Sequence, residues 1–459
     1  MADNLPHPSS FRDPSGFVFF HHHKYYRHIR SFYASDYQCL MKGPYQHLVD
    51  QGMLIPHQEI GENLTGDSDF FLTLLPEQID FISYPYEWCF DQLKDTALLC
   101  LEIMKTSINH GLILKDASPF NFQLLRGKPV LIDTLSFEQY NPGLPWIAYR
   151  QFCEGFLFPL LINHYLGLDF QQLLAVYPDG IPASLTAKIL PLKSRLSLGT
   201  WLHVFLQHSV SIHSKPDRNK FVSFTRDKMI RLLDHLYSMI GSLKYHGSAG
   251  KDWSRYYDGE HPEEYSVAKN RIFSDWVGEM QFSSALDLGT NLGIFAEILA
   301  RNGAMVIATD MDSRCINQLY LKSRANAGKN IHPILADLAF AYSSGGFRQS
   351  ERQSFSDRAR MDLVSALAII HHLVLIRNIP LVNLASYCSD LSKKYLIAEF
   401  IPLSDAKVQL MMTNKKTFHQ PYDRNAFEMS FDPYFIIEQI QPIQGTERVM
   451  YKMKKRVFD

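Results

Sequence analysis

The chain has few cysteines, and they lie far apart. Six in 459 residues, at positions 39, 89, 100, 153, 315 and 388, include no Cys-x-x-Cys pair. That spacing argues against a zinc ribbon, a redox dithiol or a disulfide frame and fits reduced, buried thiols. Charge of one sign is lacking too. The formal net charge is -1, so nothing draws the whole molecule toward nucleic acid or an anionic membrane, although local patches stay open. Long apolar runs are absent: Gly155-Phe-Leu-Phe-Pro-Leu-Leu-Ile162 is broken within ten residues, and the first residues, Met-Ala-Asp-Asn-Leu-Pro-His-Pro, carry no hydrophobic leader. The expectation is a cytoplasmic protein without a membrane span or a metal site. Nothing in the chain indicates its oligomeric state.

At 459 residues the chain exceeds one ordinary core, and its 46% hydrophobic content is ample for two. Phe90, Leu93, Ala97, Leu101, Met104 and Ile108 recur at helical spacing, with Gly111 where that helix should stop. Residues 122–125 and 129–133 flank Arg126-Gly-Lys128 and read as a hairpin. Helical periodicity dominates residues 146–243, and His246-Gly-Ser-Ala-Gly250 is the best linker. The order then changes to alternating strands and helices, with strands expected at 284–288, 305–310, 332–337, 362–370 and 395–402. Such alternation implies a parallel sheet covered on both faces. The last pair, 434–440 and 448–454, is joined too briefly for a parallel crossover and must be an antiparallel hairpin. The expected sheet therefore has seven strands, one of them reversed. The expected domains are residues 1–160, a helical segment with linker at 161–248, and the α/β domain at 249–459.

The densest signal is Ala285-Leu-Asp-Leu-Gly-Thr-Asn-Leu-Gly-Ile-Phe295. An apolar strand runs into Asp287, turns at Gly289 and Gly293, and opens a helix; two further strands reach Asp310 and Asp337. This is the layout of a nucleoside crevice at the carboxyl edge of a parallel sheet. The glycines are spaced Gly289-x-x-x-Gly293, not Gly-x-Gly-x-x-Gly, which disfavours a diphosphate. Asn291 stands at the middle of the turn and tolerates a left-handed backbone. Asp310, with Asp312 as its rival, lies where an acid meets a ribose diol. Asp337 is placed to accept an adenine amino group, with Leu338 and Phe340 near the ring faces.

On these residues the stretch from about 250 to 459 resembles the class I S-adenosylmethionine-dependent methyltransferases, whose fold is a Rossmann-like seven-stranded sheet with one antiparallel strand. The resemblance implies S-adenosyl-L-methionine as cofactor. It implies that Asp287, Gly289 and Gly293 hold the methionine part, Asp310 the ribose and Asp337 the adenine. Trp253 to Lys269 and His371-His372-Leu373 are similar to a bacterial group related to nodulation-type methyltransferases. Methyl transfer needs an acceptor lone pair in line with the sulfonium and sometimes a base; His371, His372 and Glu399, near the ends of strands four and five, are the candidates. Tyr256, Tyr257 and Lys269 either lid the cofactor or pack between domains. Gln420, Tyr422 and Asp423 are expected to face the acceptor, a small molecule or glycoconjugate.

In the other half, His110-Gly-Leu-Ile-Leu-Lys-Asp116-Ala-Ser-Pro-Phe-Asn121 and Val130-Leu-Ile-Asp133 resemble the catalytic loop and metal-binding strand of protein and aminoglycoside kinases. That likeness implies an α+β, kinase-like and partly helical N-terminal domain, with Asp116 as base and Asn121 and Asp133 as magnesium ligands. Asp133 is followed by Thr-Leu, however, and residues 1–85 hold no phosphate-cradling glycine loop. A ligand-binding accessory half is expected in preference to a phosphotransferase or a purely nucleotide-binding protein. His21-His-His23 is expected to lie at the surface, and residues 343–360, rich in Ser, Gly and Arg, to be a solvated loop without fixed structure in preference to a contact with an anionic acceptor through Arg348, Arg352 or Arg358.

Overall fold

The computed structural model describes residues 4–206, 224–247, 263–325, 330–413 and 421–457. The chain divides into two compact units, Met1–Gly250 with Gly345–Arg352, and Lys251–Ser344 with Gln353–Asp459.

In the first unit, β1 (Gly16–His21) and β2 (Lys24–Ile29) form a hairpin whose turn places His22 and His23 at φ 45° and 64°. A two-residue turn with both φ positive matches the twist of its strands. With β3 (His57–Ile60) and β4 (Leu72–Pro76) they make an antiparallel sheet of order β1-β2-β4-β3. The helix Phe90–Asn109 buries Leu93, Ala97, Cys100, Leu101, Met104 and Ile108 and gives way at Gly111, φ 73°. β5 (Leu112–Leu114) pairs with β8 (Phe137–Gln139), and β6 (Phe122–Leu125) with β7 (Lys128–Leu131) across a turn in which Arg126 and Gly127 have φ 51° and 77°.

The described residues between 161 and 247 fall within the first unit. Helix Arg226–Ser242, capped by the Thr225 side chain, turns Met229, Leu233, Leu236 and Ile240 inward. It is fastened to Phe90–Asn109 by Lys105–Asp234 (2.5 Å), by the Tyr237 hydroxyl donating to Glu102 (2.9 Å) and by Lys94 donating to the Gly241 carbonyl (2.9 Å).

The polar loop also departs from expectation. Gly345–Arg352 is part of the first unit, where Glu351 takes Arg12 at 2.6 Å and the Phe347 amide at 2.9 Å, and Arg352 lies over the Phe120 ring at 5.2 Å. Further on, Phe355–Arg358 is a short helix capped by Ser354. Local capping and a few long side chains supply the order that its sparse apolar content does not announce.

The second unit is an α/β domain built on a mixed sheet of order β11-β10-β9-β12-β13-β15-β14. β9 (Ser284–Leu288), β10 (Met305–Asp310), β11 (Ile331–Leu335), β12 (Met361–Ala366) and β13 (Ser392–Phe400) are parallel. β15 (Val449–Lys455) runs antiparallel to β13 and to β14 (Phe435–Pro442). The central strands are buried on both faces, so they read as apolar runs. β11 stops at Leu335, short of Asp337, because the Asp337 carboxylate caps the turn Leu338–Phe340. β12 stops at Ala366, short of 370, ahead of Ala368 at φ 54°.

Candidate functional site

The strand order reverses between β9 and β12, and at such a switch point the flanking connections leave in opposite directions and open a crevice at the carboxyl ends. The turn after β9 lies there. Gly289 has φ 70°, and a Cβ on it would meet Ile369 Cδ1 at 2.9 Å; Gly293, φ 79°, starts the helix Ile294–Arg301 against Leu319. Asn291, between them, takes φ 50°, and its side-chain oxygen accepts the Leu292 amide at 2.7 Å. The turn thus keeps its backbone tight, with the Thr290, Asn291, Leu292 and Gly293 amides hydrogen-bonded within the turn or to β10.

Three carboxylates meet this crevice in three different states. Asp287 is buried, taking the Thr290 hydroxyl at 2.6 Å on one oxygen and the Ser365 hydroxyl on the other. Desolvation raises its pKa, against the pull of those hydroxyls and of Lys269. Asp310 accepts the Asn291 amide at 2.8 Å and the Asp312 amide at 2.9 Å. Desolvation pushes its pKa up to about 6. Asp312, its rival, accepts the Arg314 amide at 2.8 Å at the head of helix Ser313–Ala325. Asp337 is half-buried, caps Ala339 at 3.0 Å and pairs with Arg377 at 2.6 Å, while Arg377 lies 5.4 Å over the exposed Phe340 ring. Leu338 follows at the head of this turn, partly buried.

Past β12, His371 is buried, and its Nδ1 has no hydrogen-bond partner among the described residues. Burial, then His372, Arg448 and Lys269, hold its pKa well below the ordinary histidine value, so the ring is neutral at pH 7. Its ring centroid is 4.2 Å from that of His372. Glu399, fully buried on β13, binds Lys269 at 2.7 Å and the Tyr265 hydroxyl at 2.9 Å. Arg448 donates to Tyr265 at 2.8 Å and clasps Asp405 at 2.8 and 3.2 Å. Sequence reasoning flagged Lys269 and Glu399 but missed Tyr265, Arg448, Asp405, Thr290 and Ser365. The one available signal was Tyr265 and Lys269 standing i, i+4 on one helix face.

The Tyr422 hydroxyl is buried and donates to the Ile401 carbonyl at 2.9 Å, and one oxygen of the exposed Asp423 caps helix Arg424–Phe431 through Ala426 at 2.8 Å. Tyr256, Tyr257 and Gln420 lie outside the described residues.

In the first unit, Asn121 and Asp133 are joined through Ser136. Asn121 donates to Ser136 at 3.2 Å, Ser136 donates to Asp133 at 2.5 Å, and Asp116 accepts the Ser118 amide at 3.0 Å. Asp133 is also ion-paired with Arg27 of β2. Burial opposes its charge, but Arg27, Ser136 and the Leu135 amide outweigh it and hold the pKa below the usual carboxylate value. Among the described residues no three His, Cys, Asp or Glu side chains converge as a metal site.

Fold and geometry together define an α/β protein whose Gly289 turn lies at the switch point of its sheet. No family model matches the chain. It is similar to the nodulation protein NoeA of Rhizobium meliloti (strain 1021), at 28% identity over 456 residues, 97% of this chain and 95% of that one. Among solved structures it is similar to the N-methyltransferase NodS from Bradyrhizobium japonicum WM9 in complex with S-adenosyl-L-homocysteine, at TM-score 0.33 and 13% identity over 46% of this chain and 94% of that one. It is also similar to magnesium protoporphyrin IX methyltransferase from Synechocystis PCC 6803 with bound S-adenosylhomocysteine, at TM-score 0.32 and 18% identity over 44% of this chain and 93% of that one.

Proposed function

We propose that the second unit is an S-adenosylmethionine-dependent methyltransferase acting on a small molecule or glycoconjugate. The observation that carries this reading is the Gly289 turn at the switch point, flanked by Asp287, Asp310 and Asp337 on three adjacent strands. The residues fit the cofactor: Gly289 at φ 70° leaves the turn without a side chain there, and Asp310 is a desolvated carboxylate that pairs with no cation among the described residues, suited to the two hydroxyls of a ribose. When bound, the cofactor would supply an electrophilic methyl group on a sulfonium. Asp310 would accept the ribose hydroxyls, Asp337 and Leu338 would border the base, and the backbone around Gly289, Asn291 and Gly293 would line the methionine part. His371, neutral and with an unpartnered ring nitrogen, would take the acceptor's proton. Glu399, with both oxygens engaged, would hold Lys269 and Tyr265 in place.

The acceptor class is supported by the near-zero net charge, which provides no general field for nucleic acid, and by the full-length similarity to a protein named for nodulation. No phosphotransfer is proposed for the first unit, because Arg27 already supplies the positive charge that a divalent cation would bring to Asp133. Calorimetry on the full chain with S-adenosylhomocysteine and, separately, Mg-ATP tests the reading. Micromolar binding of the first and none of the second is expected; Mg-ATP binding without S-adenosylhomocysteine binding would sink it.

A further inference from the structure

Between Gly180 and Leu206 the chain contains Lys188, Lys193 and Arg195 and no carboxylate. All three cations are exposed. The same stretch leaves large apolar side chains in solvent: Leu192 is 77% exposed, Leu196 89%, Leu198 68% and Trp201 44%. These four lie within ten consecutive residues, on the turn Leu192–Leu196 and the helical turns Leu198–Thr200 and Trp201–Leu206. The turns are packed together, with Arg195 lying 4.7 Å over the Phe205 ring. Their inward sides are anchored: Ser194, Gly199, Thr200, His203 and Val204 are buried. The exposed leucines are therefore the outer face of a fixed structure and not the side chains of a loose loop. On the neighbouring helix Arg226–Ser242, Asp234 is already paired with Lys105 at 2.5 Å, so it does not neutralise the patch.

Single exposed leucines are ordinary, but four large apolar groups interleaved with exposed cations mark an interaction surface. We infer that this face docks onto the surface of an anionic lipid bilayer. Leucine side chains enter the acyl boundary, tryptophan sits at headgroup level, and lysine and arginine stems lie along the apolar surface with their charges among the phosphates. The charge selects a bilayer bearing negative headgroups over an uncharged one. Among the described residues no helix is long and apolar enough to cross a membrane, so the attachment is peripheral and reversible. This inference rests on the first unit alone and is independent of the methyltransferase reading.

Flotation of the full-length protein with phosphatidylcholine vesicles, with and without phosphatidylglycerol, provides the test. The protein is expected to float with the phosphatidylglycerol vesicles at low salt and to be released as salt is raised. Lys193→Glu and Arg195→Glu should each weaken partitioning by at least about fivefold. Leu196→Glu with Leu198→Glu should abolish it while the circular dichroism spectrum stays unchanged. Trp201 fluorescence should shift to the blue on binding, a change lost in Trp201→Phe. Equal flotation with both vesicle types, or none with either, overturns the proposal. So does concentration-dependent dimerisation, in the absence of lipid, that the leucine substitutions remove, since the face would then be a contact between copies of the chain.

Discussion

Asp133, just after β7 in the first unit, and Asp310, at the end of β10 in the second, are satisfied in opposite ways. Asp133 is ion-paired with Arg27 and receives Ser136, and its pKa lies below the ordinary value. Asp310 takes backbone amides, from Asn291, Asp312 and Met311, and its pKa rises to about 6. A carboxylate matched by an internal cation gains little from a ligand, because its charge is already compensated. One held ionised by peptide dipoles alone in a desolvated place has interaction energy left for neutral donors such as a diol. The two units thus contrast a closed site with an open one.

The strongest way to break this contrast is to close the open site. Gly289→Val brings a branched side chain to φ 70°, where even a Cβ meets Ile369 at 2.9 Å. Binding of S-adenosylhomocysteine should fall by more than about a hundredfold, and the backbone strain should cost about 1–3 kcal/mol of stability. Titration calorimetry and circular dichroism measure the two effects separately. Retained binding would show that the turn only shapes the fold.

Opening the closed site comes next. Arg27→Ala leaves Asp133 charged and poorly solvated. Removing one partner of a buried pair costs about 3–5 kcal/mol, reduced to roughly 2–4 here because the side chains retain 13% and 16% exposure. Urea unfolding reads this directly. If the variant also gains magnesium-dependent stabilisation, Arg27 is what keeps a cation out; if stability hardly changes, the pair does not define the first unit's site.

Asp310→Ala should weaken S-adenosylhomocysteine by about 1.5–3 kcal/mol, the range for a hydrogen bond to a charged group. The wild type offers a subtler form of the same test. Burial raises the Asp310 pKa in the free protein from 3.8 to about 6. Below about 6 the free protein binds the proton that the ribose hydroxyls need removed, so affinity should decline as pH falls through about 6, by up to about tenfold per unit. Stability of the free protein moves the other way. The native state holds a proton that the unfolded state does not between 3.8 and about 6, so this group favours folding increasingly as pH falls across that window. A flat binding profile across it would remove Asp310 from the ribose contact.

The open site was more legible in the sequence than the closed one, for a physical reason. Parallel strands buried on both faces read as apolar runs, and β9 and β10 stand where those runs end on Leu288 and Asp310. The glycine turn is local, so its residues are adjacent in the chain. Arg27, by contrast, meets a partner 106 residues away, and Arg448 meets Tyr265 across 183. No period or motif announces such pairs, since each member looks like a surface charge until the fold removes its water. The loop at 345–352 was obscured for a related reason: its order comes from Glu351, Arg352 and capping hydrogen bonds, not from an apolar pattern.

The smallest expected effect sharpens the contrast by holding chemistry constant. Arg377 and Asp337 form an arginine-aspartate pair at 2.6 Å, like Arg27 and Asp133, but their side chains are 33% and 30% exposed. Water can solvate Asp337 once Arg377 is gone, so Arg377→Ala should cost only about 0.2–1 kcal/mol, and added salt should erase part of the difference. Each Asp337 oxygen keeps a free lone pair beside its present partner, Ala339 on one and Arg377 on the other. Affinity for S-adenosylhomocysteine should therefore change by less than about threefold, a limit set by the small worth of an exposed pair. Parallel urea titrations of Arg27→Ala and Arg377→Ala make the comparison. Equal losses would mean that pairing alone, and not the water left around the carboxylate, separates the closed site from the open one.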